Sequence, residues 1–130
     1  MIAEDYVSFE TAKLLKEKGF EGDINVWCDE NGEMFLQHKY DINRDWRVRA
    51  NQEVYECPTL QMAMKWLREI HNINIAIIPT QQEKLVVGNG FVREYWSNIY
   101  NDNNIIHILV ITGYENACEA AIKYCLENLI

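Results

Sequence analysis

The segment Pro58–His71 constrains the fold of this chain more than any other stretch. Its apolar residues recur at intervals of three and four: Leu60, Ala63, Met64, Leu67 and Ile70. Side chains spaced in this way lie on one face of an α-helix. Met62 and Trp66 are four residues apart and widen that face. The pattern therefore predicts an amphipathic helix with a broad buried side.

Two further helices are predicted near the ends of the sequence. Ser8 suits the N-cap of a helix from about Phe9 to Lys18, and Gly19 suits the left-handed position that closes a helix. Near the other end, Thr112 and Glu115 have the spacing of a capping box before the run ENACEAAIKYCLENLI. That run is apolar apart from one polar ridge, which predicts a helix that packs on a sheet.

Five stretches between these helices are typical of strands. INVWCDENGEMFLQHKY predicts a hairpin around Asn31-Gly32, and INIAIIP predicts a strand that ends at Pro79. KLVV and FVREYWSNIY flank a predicted turn at Gly88-Asn89-Gly90. The run IIHILVIT is nearly all apolar, which predicts a central strand covered on at least one face.

The element order predicts an α+β fold. The order is α-β-β, a long loop over Asp41–Glu56 with a short strand near Val54, and then α-β-β-β-α. Such an order favours an antiparallel or mixed β-sheet with about three helices packed on it. At 130 residues the chain has the length of one domain, so we expect a single α+β domain over residues 1–130.

Composition narrows the classes of function. The formal net charge of −8 argues against general nucleic-acid binding, which needs lysine and arginine to displace counterions from phosphates. No apolar run approaches the roughly 20 residues that span a bilayer, so no membrane partner is expected. The start MIAEDYVSFE lacks the basic and apolar regions of a signal peptide, which predicts a cytoplasmic location.

No pattern in the sequence identifies a reaction. It contains neither an HExxH motif nor a CxxC pair, so we predict no metal, no cofactor and no catalytic residue. Cys57 precedes a helix start, where the helix dipole lowers a thiol pKa, but no motif supplies it with a base. His107 is interpreted as a packed strand residue. A small enzyme with a cysteine or histidine site is the second alternative function.

Two clusters are candidate partner-binding residues. Arg44, Trp46, Arg47 and Arg49 combine positive charge with an aromatic ring in the predicted loop, a pairing that can contact nucleic acid, although nearby aspartates dilute the charge. In FVREYWSNIY the aromatic residues cannot all point one way, because side chains alternate along a strand. Either Trp96 and Tyr100 or Phe91 and Tyr95 should lie partly outside, where aromatics suit a protein interface.

Three longer blocks carry a resemblance to a known family. YVSFETAKLLKEKGF, PTLQMAMKWLREIH and YENACEAAIKYCLENLI resemble the signature blocks of a family of small uncharacterised phage and prophage proteins from mobile elements of gut Bacteroidetes. The resemblance covers both ends and the middle of the chain. It implies a phage-related origin and a host-cell cytoplasmic setting, and it implies no activity, cofactor or site residue.

The hypothesis that follows is a non-catalytic protein-binding module with an accessory or regulatory role. Its expected partner is a protein encoded by the host or the mobile element. The first alternative is a nucleic-acid-associated accessory protein that uses Arg44–Arg49, and the sequence does not fix the oligomeric state.

Overall fold

A computed structural model describes residues 5–86 and 90–130, with side chains for residues 5–80 and 93–130. The chain separates into two compact units, Met1–Gln61 and Met62–Ile130, which are described separately. Each contains one antiparallel three-stranded sheet, so the predicted α+β class is confirmed, with two small sheets rather than one. The predicted single domain over residues 1–130 stays a prediction.

The first unit begins with α1, Phe9–Glu17, close to the predicted bounds. The Ser8 hydroxyl accepts a hydrogen bond from the Thr11 backbone N–H, which satisfies one of the N–H groups left over at a helix start. Gly19 has a φ of 91°, a left-handed conformation that glycine adopts without steric cost. Both predicted signals at the ends of this helix are confirmed.

The sheet of the first unit has the order β2-β1-β3, formed by β1 (Val26–Asp29), β2 (Met34–Leu36) and β3 (Val54–Glu56). β1 and β2 form the predicted hairpin, and the strand predicted near Val54 is present. The buried Asp29 holds the hairpin turn, because its Oδ1 accepts hydrogen bonds from the backbone N–H groups of Asn31 (2.9 Å) and Glu33 (3.0 Å). The carboxylate therefore adds to the backbone hydrogen bonds of the turn, in which the Asp29 N–H donates to the Glu33 carbonyl at 3.0 Å and the Gly32 N–H to the Asp29 carbonyl at 2.9 Å.

The long loop predicted for Asp41–Glu56 is wrong. A 3-10 helix runs over Lys39–Arg44 and α2 over Trp46–Arg49. Local caps start both: His38 Nδ1 accepts from the Tyr40 N–H, and Asp45 Oδ1 accepts from the Arg47 N–H. His38, predicted on a strand, therefore caps a helix instead. Helices this short have too few residues to show periodicity, so only the caps could have indicated them.

The helix predicted in Pro58–His71 is α3, Leu60–His71, which lies almost wholly in the second unit. Most of the predicted stripe is buried, namely Leu60, Ala63, Met64 and Leu67. Ile70 and Met62 are exceptions, because both side chains are exposed. The buried side of α3 is therefore narrower than its sequence predicts.

The sheet of the second unit has the order β4-β5-β6, from β4 (Ile73–Val86), β5 (Gly90–Asn101) and β6 (Asn104–Thr112). β4 continues beyond Pro79, with a shift of register between Pro79 and Glu83, so the prediction that Pro79 ends this strand is wrong. The turn predicted at Gly88-Asn89-Gly90 lies largely outside the described residues. β6 is an edge strand and not the central strand that its apolar sequence predicted.

The last helix, α4 (Tyr114–Asn128), packs on one face of this sheet. The Ser97 hydroxyl donates to the carbonyl of Ala117 at 3.0 Å, and the His107 ring stacks on Tyr124 at 3.9 Å between centroids. Cys118 and Cys125 are fully buried on α4. The predicted capping box is wrong, because Gly113 is the N-cap and no side chain caps the helix start.

Candidate protein-binding surface

The face of the second sheet opposite α4 is its most distinctive surface. Strand register places Ile78, Trp96 and Val110 side by side across β4, β5 and β6. The next row lies two residues further along β5, toward Asn101, and consists of Ala76, Asn98 and Ile108. Because side chains alternate along a strand, these residues point away from the side on which Ser97 and His107 contact α4. We call this side of the sheet the open face.

The apolar side chains of the open face are exposed. Trp96 has 46% of its surface accessible, Ile108 51% and Val110 52%, whereas Ile99 on the opposite side of β5 has 0%. A register shift between Ile99 and Tyr100 adds a residue to β6 at this end of the sheet. The exposed apolar residues of the open face are Ile78, Trp96, Ile105, Ile106, Ile108 and Val110.

The open face is also nearly uncharged. Its strand positions in β5 and β6 carry asparagine, tyrosine, threonine, tryptophan and aliphatic residues, with Glu94 as their one charged residue. Tyr100 is partly exposed and lies next to Asn98, whose amide donates to its hydroxyl at 3.4 Å. A surface of this composition suits a protein partner, since the core of an interface is depleted of charge and enriched in aromatic residues.

The sequence left open which aromatic pair of β5 lies partly outside, Trp96 with Tyr100 or the alternative pair. The structure describes Trp96 and Tyr100 on the open face. Trp96 and Tyr100 share this side of β5, whereas Tyr95 lies on the other side and packs edge-on against Tyr114 at 5.6 Å. The side chain of Phe91 lies outside the described residues. Sequence reasoning missed Ile78, Ile108 and Val110, because an apolar strand residue reads as core unless the strand order is known.

The arginine candidates of the first unit have a different environment. Arg47 is largely buried, with its Nε 3.4 Å from Asp29 Oδ2 and its Nη1 3.3 Å from Asp45 Oδ2. Its guanidinium also lies 4.0 Å from the ring centroid of Phe35 and 4.7 Å from that of Trp46. Arg47 therefore ties α2 to the hairpin, and a phosphate would have to compete with two carboxylates for it.

The other members of that cluster are exposed. Trp46 has 61% of its surface accessible, and Arg44 lies 3.9 Å from Asp41 in an ion pair open to solvent. Arg49 is exposed at the end of α2. Two arginines and one tryptophan thus remain available to a partner, and Asp41 offsets part of their charge.

The candidate nucleophile is enclosed. Cys57 has no accessible surface, and its thiol donates to the Val7 carbonyl at 3.2 Å. Cys28 is also buried, and a hydrogen bond with Cys57 lowers the pKa of Cys28 while burial opposes that change. Burial raises the pKa of Cys125 to about 12. These thiols lie in packed interiors, where a substrate has no access.

We expect the folded protein to give no rapid reaction with a thiol reagent such as dithionitrobenzoate at pH 8. All four cysteines are buried, and a thiol with a pKa near 12 stays protonated at that pH. Unfolding in urea should release four reactive thiols per chain. A fast reaction of the folded protein that Cys28→Ser or Cys57→Ser removes would contradict this expectation and favour the cysteine enzyme.

Metal sites and small-molecule pockets are the two other kinds of site considered in the described part of the chain. It contains no group of three or more histidine, cysteine or acidic side chains placed to hold a metal ion. A hollow lined by Tyr6, Val26 and Leu36 among others has a volume of 230 Å³, below the roughly 300 Å³ at which small-molecule pockets begin. No described helix combines the length and apolarity required to cross a bilayer.

Comparisons of the chain with protein-family models, with curated proteins and with solved structures find no significant match. The resemblance to phage and prophage proteins therefore stays a prediction. The functional proposal therefore rests on the geometry of the open face.

Proposed function

We propose that this protein is a non-catalytic protein-binding module that binds its partner through the open face. The observation that carries the proposal is the row Ile78, Trp96 and Val110, three exposed apolar side chains that adjoin across three strands. Single exposed apolar residues are ordinary, but a contiguous patch of several hundred Å² is often functional.

Trp96 is the expected energetic centre of this surface. It lies on the central strand, with Ile78 on one side and Val110 on the other. Tryptophan is enriched among the few residues that carry most of the free energy of a protein interface, especially near its centre. Its partner is accordingly expected to present an apolar surface with little charge.

The biological setting belongs to the same proposal. The phage-related resemblance supports an accessory or regulatory role in the cytoplasm, on a protein of the host or of the mobile element. The net charge of −8 further favours partners other than nucleic acid.

Two exposed tryptophans provide a matched test. Tagged wild-type protein, Trp96→Glu and Trp46→Glu are used to capture partners from a lysate of the source organism after nuclease treatment. Each variant replaces one exposed indole with a carboxylate. Trp96→Glu does so on the open face, and Trp46→Glu does so within Arg44–Arg49. We expect a stoichiometric protein to be captured by wild type and Trp46→Glu, and its capture to fall more than tenfold with Trp96→Glu, because a charge would be buried at the interface centre.

The opposite pattern would favour the nucleic-acid alternative. In that case capture disappears with nuclease and with Trp46→Glu, but survives Trp96→Glu. Affinity for single-stranded nucleic acid would then fall steeply with salt, and Arg44→Gln with Arg49→Gln would reduce the salt slope. This outcome would overturn the proposal that the open face is the binding surface.

A further inference from the structure

The outer edge of β6 carries backbone groups that point away from the sheet. The Gly113 N–H donates to the Arg93 carbonyl at 3.0 Å, which makes this a hydrogen-bonded pair. In an antiparallel ladder such pairs alternate with pairs whose N–H and C=O groups point outward. From that alternation the outward groups belong to Ile108, Val110 and Thr112, and no strand among the described residues pairs with them.

Both ends of this edge are marked by local structure. The extra residue near Ile105 and Ile106 disturbs the ladder at one end. At the other end the Asn116 side-chain amide donates to the Thr112 carbonyl at 3.2 Å, which occupies an outward acceptor. The stretch between them, His107–Ile111, is a short regular edge with Leu109 at its centre.

Beyond the irregularity at Ile105 and Ile106, this edge lacks the features that normally prevent pairing. Exposed edge strands are usually protected by lysine, proline, bulges or inward-pointing charges. Asn104–Thr112 contains no proline and no residue charged at pH 7 when His107 is neutral. The side chains of Ile108 and Val110, beside the outward backbone groups, are half exposed.

We propose that β6 pairs antiparallel with β6 of a second copy of this chain, about a twofold axis at Leu109. The neutrality of β6 is compatible with a second copy at this edge. Two chains of net charge −8 repel one another, and an uncharged strand edge is where two copies meet with the least local repulsion. A twofold interface also brings the same patch of both copies together, so a patch of one charge would meet its own sign, whereas the neutral apolar residues of β6 meet without repulsion.

The twofold axis defines the contacts. Ile108 exchanges backbone hydrogen bonds with Val110 of the second copy, and Val110 does so with Ile108 of the second copy. Leu109 faces Leu109 of the second copy in a non-hydrogen-bonded pair. Paired residues keep to the same side of the sheet, so the two open faces join into one continuous apolar surface. The pairing itself rests on the edge and does not require the proposed function.

The interface between the two β6 strands is small, which predicts a weak dimer. A short strand edge with its flanking side chains buries less than the roughly 800 Å² per partner of a standard stable interface. We therefore expect a reversible dimer with a dissociation constant in the micromolar range.

Sedimentation equilibrium over a wide range of protein concentrations tests the pairing. Wild type should shift from monomer to dimer, and Val110→Pro should weaken the dimer more than tenfold. Proline removes the outward N–H of Val110 but leaves the ladder with β5 intact, because that N–H does not point toward β5. Val110→Lys, which places a charge at the edge, is a second variant with the same expected effect, and circular dichroism checks that both remain folded.

Trp96→Glu is the matched control, because Trp96 lies on the central strand and away from the edge. We expect its dimerisation to equal that of wild type. Loss of the dimer in Trp96→Glu but not in Val110→Pro would show face-to-face packing and overturn the edge pairing. A wild-type monomer at every concentration, or a dimer indifferent to Val110→Pro and Val110→Lys, would overturn it as well.

Cysteine cross-linking tests the position of the axis. Cα atoms in a non-hydrogen-bonded pair are about 4.5 Å apart, within the range of a disulfide. Leu109→Cys should therefore form a disulfide-linked dimer under glutathione disulfide. Ile111→Cys should not, because its counterpart lies four residues along the strand, about 13 Å away. The native cysteines are buried and do not interfere. Efficient cross-linking through Ile111→Cys but not Leu109→Cys would contradict this register.

These results separate the two proposals. A dimer that depends on Val110 while capture of a lysate protein does not depend on Trp96 would support the pairing and refute the proposed function. A Trp96-dependent partner bound by a strictly monomeric protein would do the reverse.

Discussion

Asp29→Ala is expected to lower the free energy of unfolding by about 3 kcal/mol. The carboxylate is buried, accepts hydrogen bonds from the N–H groups of Asn31 and Glu33, and lies 3.4 Å from Arg47. Alanine would leave two donors without an acceptor and remove one of the two carboxylates that face a largely buried guanidinium. Urea unfolding of the variant and wild type measures the loss.

Asp29→Asn separates the two roles of this side chain. The amide oxygen can still accept from both turn N–H groups, but the ion pair with Arg47 is lost. We expect a cost of about 1 kcal/mol, because hydrogen bonds to the turn are retained and Asp45 still pairs with Arg47. If Asp29→Ala and Asp29→Asn lowered the free energy of unfolding equally, the ion pair with Arg47, and not the hydrogen bonds to the turn, would account for the contribution of Asp29.

The second large effect is expected at the covered side of the second sheet. Ile99→Ala should cost about 3 kcal/mol, because it removes a fully buried side chain and leaves a cavity. Ile108→Ala is the matched control, since it makes the same change on the neighbouring strand at a side chain that is 51% exposed. Its cost should stay below about 1 kcal/mol, mostly the lower strand propensity of alanine.

Urea unfolding at a protein concentration low enough to keep the chain monomeric measures both variants. Similar losses for the two would mean that the open face is buried in solution. The contrast between them therefore also tests the surface on which the proposed function depends.

Helices and turns with strong local signals were predictable from the sequence. Ser8 and Gly19 bound α1 because capping is a property of a few neighbouring residues. The hairpin around Gly32 is local in the same sense. The short helices at Lys39–Arg44 and Trp46–Arg49 escaped prediction, because an isolated turn of helix depends on contacts made after folding, here the packing of Arg47 against Asp29 and Phe35.

The candidate surface was only partly predictable. Alternation along β5 correctly implied that one aromatic pair would be exposed, and Trp96 and Tyr100 are that pair on the open face. The exposure of Ile108 and Val110 depends on β6 lying at an edge, which is a matter of long-range strand order. An apolar run looks the same in sequence whether a sheet continues beyond it or ends there.

Pro79 has a consequence for how many chains can assemble. Its ladder partner is Tyr95 in a non-hydrogen-bonded position, so the N–H that proline lacks would have pointed outward from β4. The shifted register beyond it further disrupts that side of the sheet. On this edge the outward groups of Ile73, Ile75 and Ile77 remain, so Pro79 removes one donor without closing the edge. Pairing at β4 is therefore weaker than pairing at β6, and we expect higher concentration to favour dimers over longer assemblies.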